Sequence, residues 1–150
     1  MSVPFFAKAN GDWIRATPIW DDGRLYVAGM LDTLHCLDAA NGSVLWKVDF
    51  VAEMKTAIPA FGCVCSPLID GDFLYIQAGA GLVKLDKRSG SIIWRSLDDG
   101  GGMNGSAFVA WLATIAGTEQ LLVQSRTSSM ASVPKTAGCS GRRRFPPFVA

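Results

Sequence analysis

The sequence predicts an all-β chain built from repeated four-stranded antiparallel units, and three observations carry that expectation. Glycine (16), proline (7) and tryptophan (5) are plentiful among the 150 residues, and runs of strong helix formers are few, as in short strands joined by tight turns. A segment of about 30 residues occurs twice, at a spacing of 48 to 49 positions, and a fixed period of that length marks a repeat architecture. Each copy also breaks into four short apolar runs punctuated by turn residues. With 49% hydrophobic and 18% charged residues, the chain is far too apolar for a disordered segment and should bury a core.

The first unit runs from Thr17 to Trp46 and the second from Ser66 to Trp94. Pro18 matches Pro67 and Tyr26 matches Tyr75, both 49 apart, whereas Asp38 and Asp86, Gly42 and Gly90, and Trp46 and Trp94 are 48 apart. Within the first unit, Thr17 to Trp20 is the first strand and Asp21-Asp22-Gly23 the turn after it. Arg24 to Ala28, Leu34 to Leu37 and Ser43 to Val48 supply the second, third and fourth strands. Connections this short permit only an antiparallel meander, and four strands in about 48 residues make one propeller blade. A lone blade cannot hide both of its faces, so neighbouring blades must stack against it.

The turn before the fourth strand is the most informative element. In Asp38 to Gly42 and again in Asp86 to Gly90, the aspartate can accept hydrogen bonds from amides two or three residues ahead. The glycine supplies a positive φ, and Asn41 or Ser89 bonds the same loop. Four residues beyond each glycine stands a tryptophan, whose ring can cover a neighbouring blade while its indole N–H seeks a carbonyl. These six residues, Asp38, Gly42, Trp46, Asp86, Gly90 and Trp94, are expected to be structural. The recurrence of the aspartates at equivalent places in different blades argues against a catalytic pair.

A third unit begins and then departs from the pattern. Ala107 to Ala116, Gln120 to Gln124 and Val133 read as three further strands, but Pro134-Lys135-Thr136 stands where the acidic turn should begin, and no tryptophan follows. The expected organisation is therefore a partial β-propeller of about three blades, two complete (about 17–50 and 66–97) and one incomplete (106–136), with an irregular tail over 137–150. Read two nucleotides late from Thr136, the codons can encode Gly-Arg-Val-Leu-Trp, which restores the repeat's order. The tail is thus expected to be a frameshifted continuation of the third blade, and the coding DNA around Thr136 tests this. Propellers close with about four to eight blades, so the chain is expected to be a fragment of a longer protein.

The pattern Leu-Asp-x-x-x-Gly-x-x-x-Trp at Leu37 to Trp46 and Leu85 to Trp94, the Thr17-Pro18 and Ser66-Pro67 starts, and Leu25-Tyr26-Val27 with Leu74-Tyr75-Ile76 together resemble the pyrroloquinoline quinone (PQQ) type propeller repeat. That repeat occurs in quinoprotein dehydrogenases and in non-catalytic propellers resembling the bacterial outer-membrane assembly lipoprotein. Cys36 and Lys84 stand where the family usually has alanine, and Asn41 and Ser89 where it has threonine. The resemblance implies a bacterial parent in the periplasm or cell envelope, although the chain itself shows no signal peptide. Its dehydrogenase members imply PQQ and calcium, held under a ring of adjacent cysteines, with an aspartate as the catalytic group.

Charge and motif content narrow the function classes. Lys and Arg total 14 against 13 acidic residues, so no whole-chain field favours nucleic acid. The longest apolar run, within Ala107 to Ala116, is about half of the ~20 residues needed to span a membrane. Cys63-Val64-Cys65 has one residue between its thiols, unlike a zinc knuckle, and with Cys36 and Cys139 makes too sparse a set for a disulfide scaffold. These cysteines read as buried small hydrophobes. His35, the lone histidine, reads as a sheet-face residue, and Asp98 to Ser106 as an inter-blade connection rather than an anion nest. No catalytic, cofactor or metal residue is assigned. The leading expectation is a non-catalytic binding or assembly scaffold. Its partners would be the parent's other blades, with proteins or small ligands meeting the connections Val51 to Phe61 and Asp98 to Ser106. The alternative is a remnant of a PQQ-dependent dehydrogenase oxidising an alcohol or sugar.

Overall fold

In the computed structural model, residues 14–59, 62–96, 110–115, 117–125, 128–134 and 143–144 are described. The loop 98–106, Cys139, and the proline-lysine-threonine departure beyond Pro134 lie outside the described residues, as do Ala60 and Phe61 of the first connection. Among the described residues the strands form three four-stranded antiparallel sheets, each in simple chain order. The all-β expectation of stacked four-stranded blades is met.

The first sheet contains β1 (Ile19–Asp21), β2 (Arg24–Gly29), β3 (Thr33–Asp38) and β4 (Val44–Asp49). The second contains β5 (Leu68–Asp70), β6 (Phe73–Ala78), β7 (Gly81–Asp86) and β8 (Ile92–Ser96). The third contains β9 (Ala110–Ile115), β10 (Thr118–Ser125), β11 (Ser128–Pro134) and the two-residue β12 (Arg143–Arg144), which pairs with Ala131 and Ser132. Tyr26, Cys36 and Trp46 stand in one cross-strand row of the first sheet, and Tyr75, Lys84 and Trp94 in the matching row of the second. Each outer strand carries a bulge beside that row. Cys36 pairs with Trp46 but Leu37 with Val44, leaving Leu45 extra, and in the second sheet Ile93 is extra in the same way.

Alternation along each strand places one apolar row on each face, and the faces stack. Tyr26, Ala28, Leu34, Cys36 and Val48 of the first sheet pack with Leu74, Ile76, Val83 and Leu85 of the second. The opposite face of the second sheet, with Tyr75 and Leu82, meets Leu121 and Val123 of the third. Leu34, Leu74, Ile76, Leu82, Leu85 and Leu121 are fully enclosed. Each such side chain contributes about 1.5–3 kcal/mol by leaving water, which is what a repeat with two apolar faces needs from its neighbours.

One helix interrupts the described strands. The connection after β4, expected to be irregular from Val51 onward, opens with α1 (Phe50–Met54). Asp49 ends β4 and caps the helix in the same stroke, its Oδ1 accepting from Ala52 N at 3.1 Å. Lys55, in the left-handed conformation at φ 54°, ends it. Phe50 is fully buried and ties the turn to the core. No helix among the described residues is long and apolar enough to cross a membrane.

Antiparallel order gives each sheet two distinct ends. The β1–β2 and β5–β6 turns share one end with the corners before β4 and β8. The β2–β3 and β6–β7 turns share the other with α1 and the connection into β5.

Candidate functional site: the joint between the first two sheets

The acidic corners are closed by their own side chains. Asp38 Oδ1 accepts from Ala40 N at 2.8 Å. Asp86 Oδ1 accepts from Arg88 N at 3.0 Å, Ser89 N at 2.8 Å and Ser89 Oγ at 2.9 Å. Those donors, led by the Ser89 amide, hold the Asp86 carboxyl below the usual carboxylate range. Asn41 Oδ1 and Ser89 Oγ accept from the amides of Ser43 and Ser91. Gly42 and Gly90 take φ 74° and 77°, and each donates its amide to the aspartate carbonyl at the head of the turn.

The second corner is also a socket for the first sheet. The Trp46 indole lies on Gly90, and its Nε1 donates to Lys87 O at 3.3 Å. Tyr26 Oη donates to the same carbonyl at 3.1 Å, and Arg24 Nη1 to Arg88 O at 2.8 Å. In return Lys87 Nζ donates to Asp21 Oδ2 at 2.6 Å. Burial pushes the Tyr26 phenol up to about 12, with the Cys36 thiol beside it adding to the shift, so it stays a neutral donor. The Tyr26 and Trp46 rings tilt against each other at 5.9 Å between centroids. Tyr75 and Trp94 repeat that pair at 6.1 Å and face the third sheet. Lys84, in the same row, lies 3.6 Å from the centre of the Phe73 ring, a cation–π contact.

The opposite end of the joint centres on Asp32, in the β2–β3 turn with φ 59°. It is 1% exposed. Its Oδ2 accepts from Gly79 N, in the β6–β7 turn, at 2.7 Å, and its carbonyl accepts from Phe50 N at 3.0 Å. Its Oδ1 is buried and makes no hydrogen bond. Burial is the main cause that pushes the carboxyl up to about 6; the Gly79 amide opposes it and the negative charge of Asp49 adds to it. Cys63, fully buried nearby, has its thiol raised well above the ordinary range by burial, then by Asp32 and Cys65.

The two neighbouring thiols are free and buried. Cys63 Sγ faces the carbonyls of Cys65 and Gln77 at 3.8 and 3.9 Å, and Cys65 Sγ faces the carbonyl of Ser66 at 3.4 Å. No three histidine, cysteine, aspartate or glutamate side chains converge among the described residues. His35 is buried on β3 between Val27 and Lys47, and burial, then the Lys47 charge, lowers its pKa. It is a neutral sheet-face residue at neutral pH.

Of the six motif residues, the structure brings Trp46, Asp86 and Gly90 together at one joint. Asp38 and Gly42 form the corner of the first sheet, whose Ala39, Ala40 and Asn41 are exposed, and Trp94 belongs to the joint with the third sheet. Sequence reasoning missed Asp21, Arg24, Lys87 and Asp32. Tyr26 carried a signal, its recurrence at Tyr75. Asp32 carried none, because Ala80 occupies the equivalent left-handed position, at φ 58°, in the second sheet.

Comparison with known proteins agrees with this architecture. The family model described as outer membrane protein assembly factor BamB matches residues 6–138. A curated relative, the quinohemoprotein alcohol dehydrogenase ADH IIB of Pseudomonas putida, is 32% identical over 88 residues, which is 57% of this chain and 13% of that protein. BamB from Moraxella catarrhalis matches 89% of this chain and 37% of its own at 22% identity, with a TM-score of 0.58. Quinohemoprotein alcohol dehydrogenase ADHIIG from Pseudomonas putida HK5 matches 89% and 20% at 17% identity, with a TM-score of 0.59. These solved structures share the fold, and the chain spans only a small part of the curated relative's length.

Proposed function

Because the chain belongs to the PQQ-like propeller family described as outer membrane protein assembly factor BamB, we propose that it serves as a non-catalytic scaffold for protein binding or assembly in the cell envelope, as part of a longer propeller. The observation that carries this reading is the joint itself. Asp21, Arg24, Tyr26 and Trp46 converge on the Lys87 to Gly90 corner of the next sheet, so the side chains that the repeat supplies join sheets rather than hold a reactant. Binding then falls to the connections, where α1 and the exposed Ile58 offer irregular surface on a rigid support.

A second reading, a segment of a PQQ-dependent dehydrogenase oxidising an alcohol or sugar with its catalytic residues elsewhere, is favoured by the 32% identity to a quinohemoprotein alcohol dehydrogenase. Fold alone does not decide between them. Titration of the full-length parent protein with PQQ and Ca²⁺, followed by absorbance and by dye-linked alcohol oxidation, separates the two. The scaffold reading expects no uptake and no dye reduction; saturable, stoichiometric uptake with alcohol-dependent dye reduction overturns it.

A further inference from the structure

We propose that Asp32 is a proton-operated clasp between the first and second sheets, holding the β6–β7 turn and the start of α1 together while its carboxyl carries a proton and easing when the proton leaves. The inference stands on the joint alone, whatever the connections bind.

The geometry makes one residue responsible for two attachments, one through its side chain and one through its backbone. Asp32 reaches 47 positions along the chain to Gly79 N at 2.7 Å, and its backbone receives Phe50 N at 3.0 Å. The space is closed around it. A β-carbon on Gly79 would lie 2.8 Å from Met54 Cγ and 3.4 Å from Phe50 Cβ, so turn and helix are packed without slack. Within this enclosure Oδ1 has no hydrogen-bond donor. An ionised carboxylate buried with one amide and no cation is costly, whereas the protonated acid is not.

The titratable groups facing Asp32 are Asp49, from the end of β4, and Cys63, from the connection into β5. Neither can supply positive charge. The Gly79 turn contributes a backbone amide. The ion pair present among the described residues, Lys87 with Asp21, lies at the far end of the sheets.

The direction of the pH effect follows from linkage. The carboxyl is raised from 3.8 to about 6 in the folded joint, so the closed joint binds the proton more tightly than the open one. The clasp is tightest below about pH 4, weakens as pH rises through 6, and is level above that. A shift of this size corresponds to a change on the order of 100-fold in the opening equilibrium across the window.

Amide hydrogen exchange at Gly79 and Phe50 in the intact 150-residue chain, from pH 4 to 7.5 and corrected for intrinsic exchange rates, tests the proposal. Protection at both amides is expected to fall toward that extent as pH rises, and Asp32→Asn, whose amide oxygen can still accept from Gly79, is expected to flatten the dependence. Identical pH dependence in Asp32→Asn and the native chain overturns the clasp. Should the variant fail to fold, a carbon NMR titration of the Asp32 carboxyl in the native chain decides. A midpoint near 6 supports the clasp and a midpoint near 4 overturns it.

Discussion

Trp46 and Gly90 meet face to face across the first joint: a β-carbon on Gly90 would stand 2.7 Å from the indole Cε3 and 2.8 Å from Cδ2. The glycine at the corner therefore has two duties. It takes the left-handed turn at φ 77°, and it leaves its side-chain volume to a ring from the neighbouring sheet.

Gly90→Ala is accordingly expected to cost about 2–4 kcal/mol, the sum of left-handed strain and a clash that backbone and ring share. Gly71→Ala is the control. It has a similar φ of 57° but nothing within 4 Å, so about 1 kcal/mol is expected. Urea denaturation of both variants checks the ordering, and equal costs would count against the socket.

Trp46→Ala should destabilise by about 2–4 kcal/mol, somewhat less than a fully enclosed tryptophan because the ring is only partly buried. Trp46→Phe keeps most of the packing and loses the 3.3 Å bond to Lys87 O, for an expected cost of about 1–2 kcal/mol. Thermal unfolding by circular dichroism, with indole fluorescence as a second probe, measures both.

Asp86 gives an acid-side prediction of opposite sign to Asp32. Its pKa is lowered in the fold, so its contribution is present above the ordinary carboxylate pKa and is lost as pH falls through the folded value. Asp86→Ala should lower stability at pH 7 by at most about 1 kcal/mol, since solvent screens this turn. The gap between variant and native chain should shrink in strongly acidic buffer, as chemical denaturation at a series of pH values would register.

Lys87→Met tests the ion pair with Asp21. The pair is short, at 2.6 Å, but the Asp21 side chain is 33% exposed, so an effect of about 0.5–1 kcal/mol is expected, decreasing with added salt. Melting curves at low and high ionic strength read it directly.

What could be read from the sequence was whatever recurs. Tyr26 with Tyr75 and the three corner pairs fixed the period, and in the first unit strand boundaries followed from alternation to within two residues, whereas in the third β9 begins three residues later than expected and β11 five residues earlier. The helix at Phe50–Met54 was hidden because five residues carry no 3.6-residue periodicity, and its cap, Asp49, doubles as the last residue of a strand. The partner of Asp32 lies 47 positions away and its repeat counterpart is Ala80, so neither local pattern nor period pointed to it. Lys87 and Asp21 likewise acquire meaning only when two sheets are laid against each other.

The extra residue in each outer strand, Leu45 and then Ile93, sets the parity of the indole that follows. With four steps from glycine to tryptophan and one of them absorbed out of pairing, Trp46 emerges on the side where Tyr26 stands. The interval is thus a ruler rather than a spacer. Substitutions inside it should be absorbed, while one further residue inserted and paired between Leu45 and Trp46 would set the ring opposite His35 instead of Cys36, turn it to the wrong face and unfasten the sheets without altering a single motif letter.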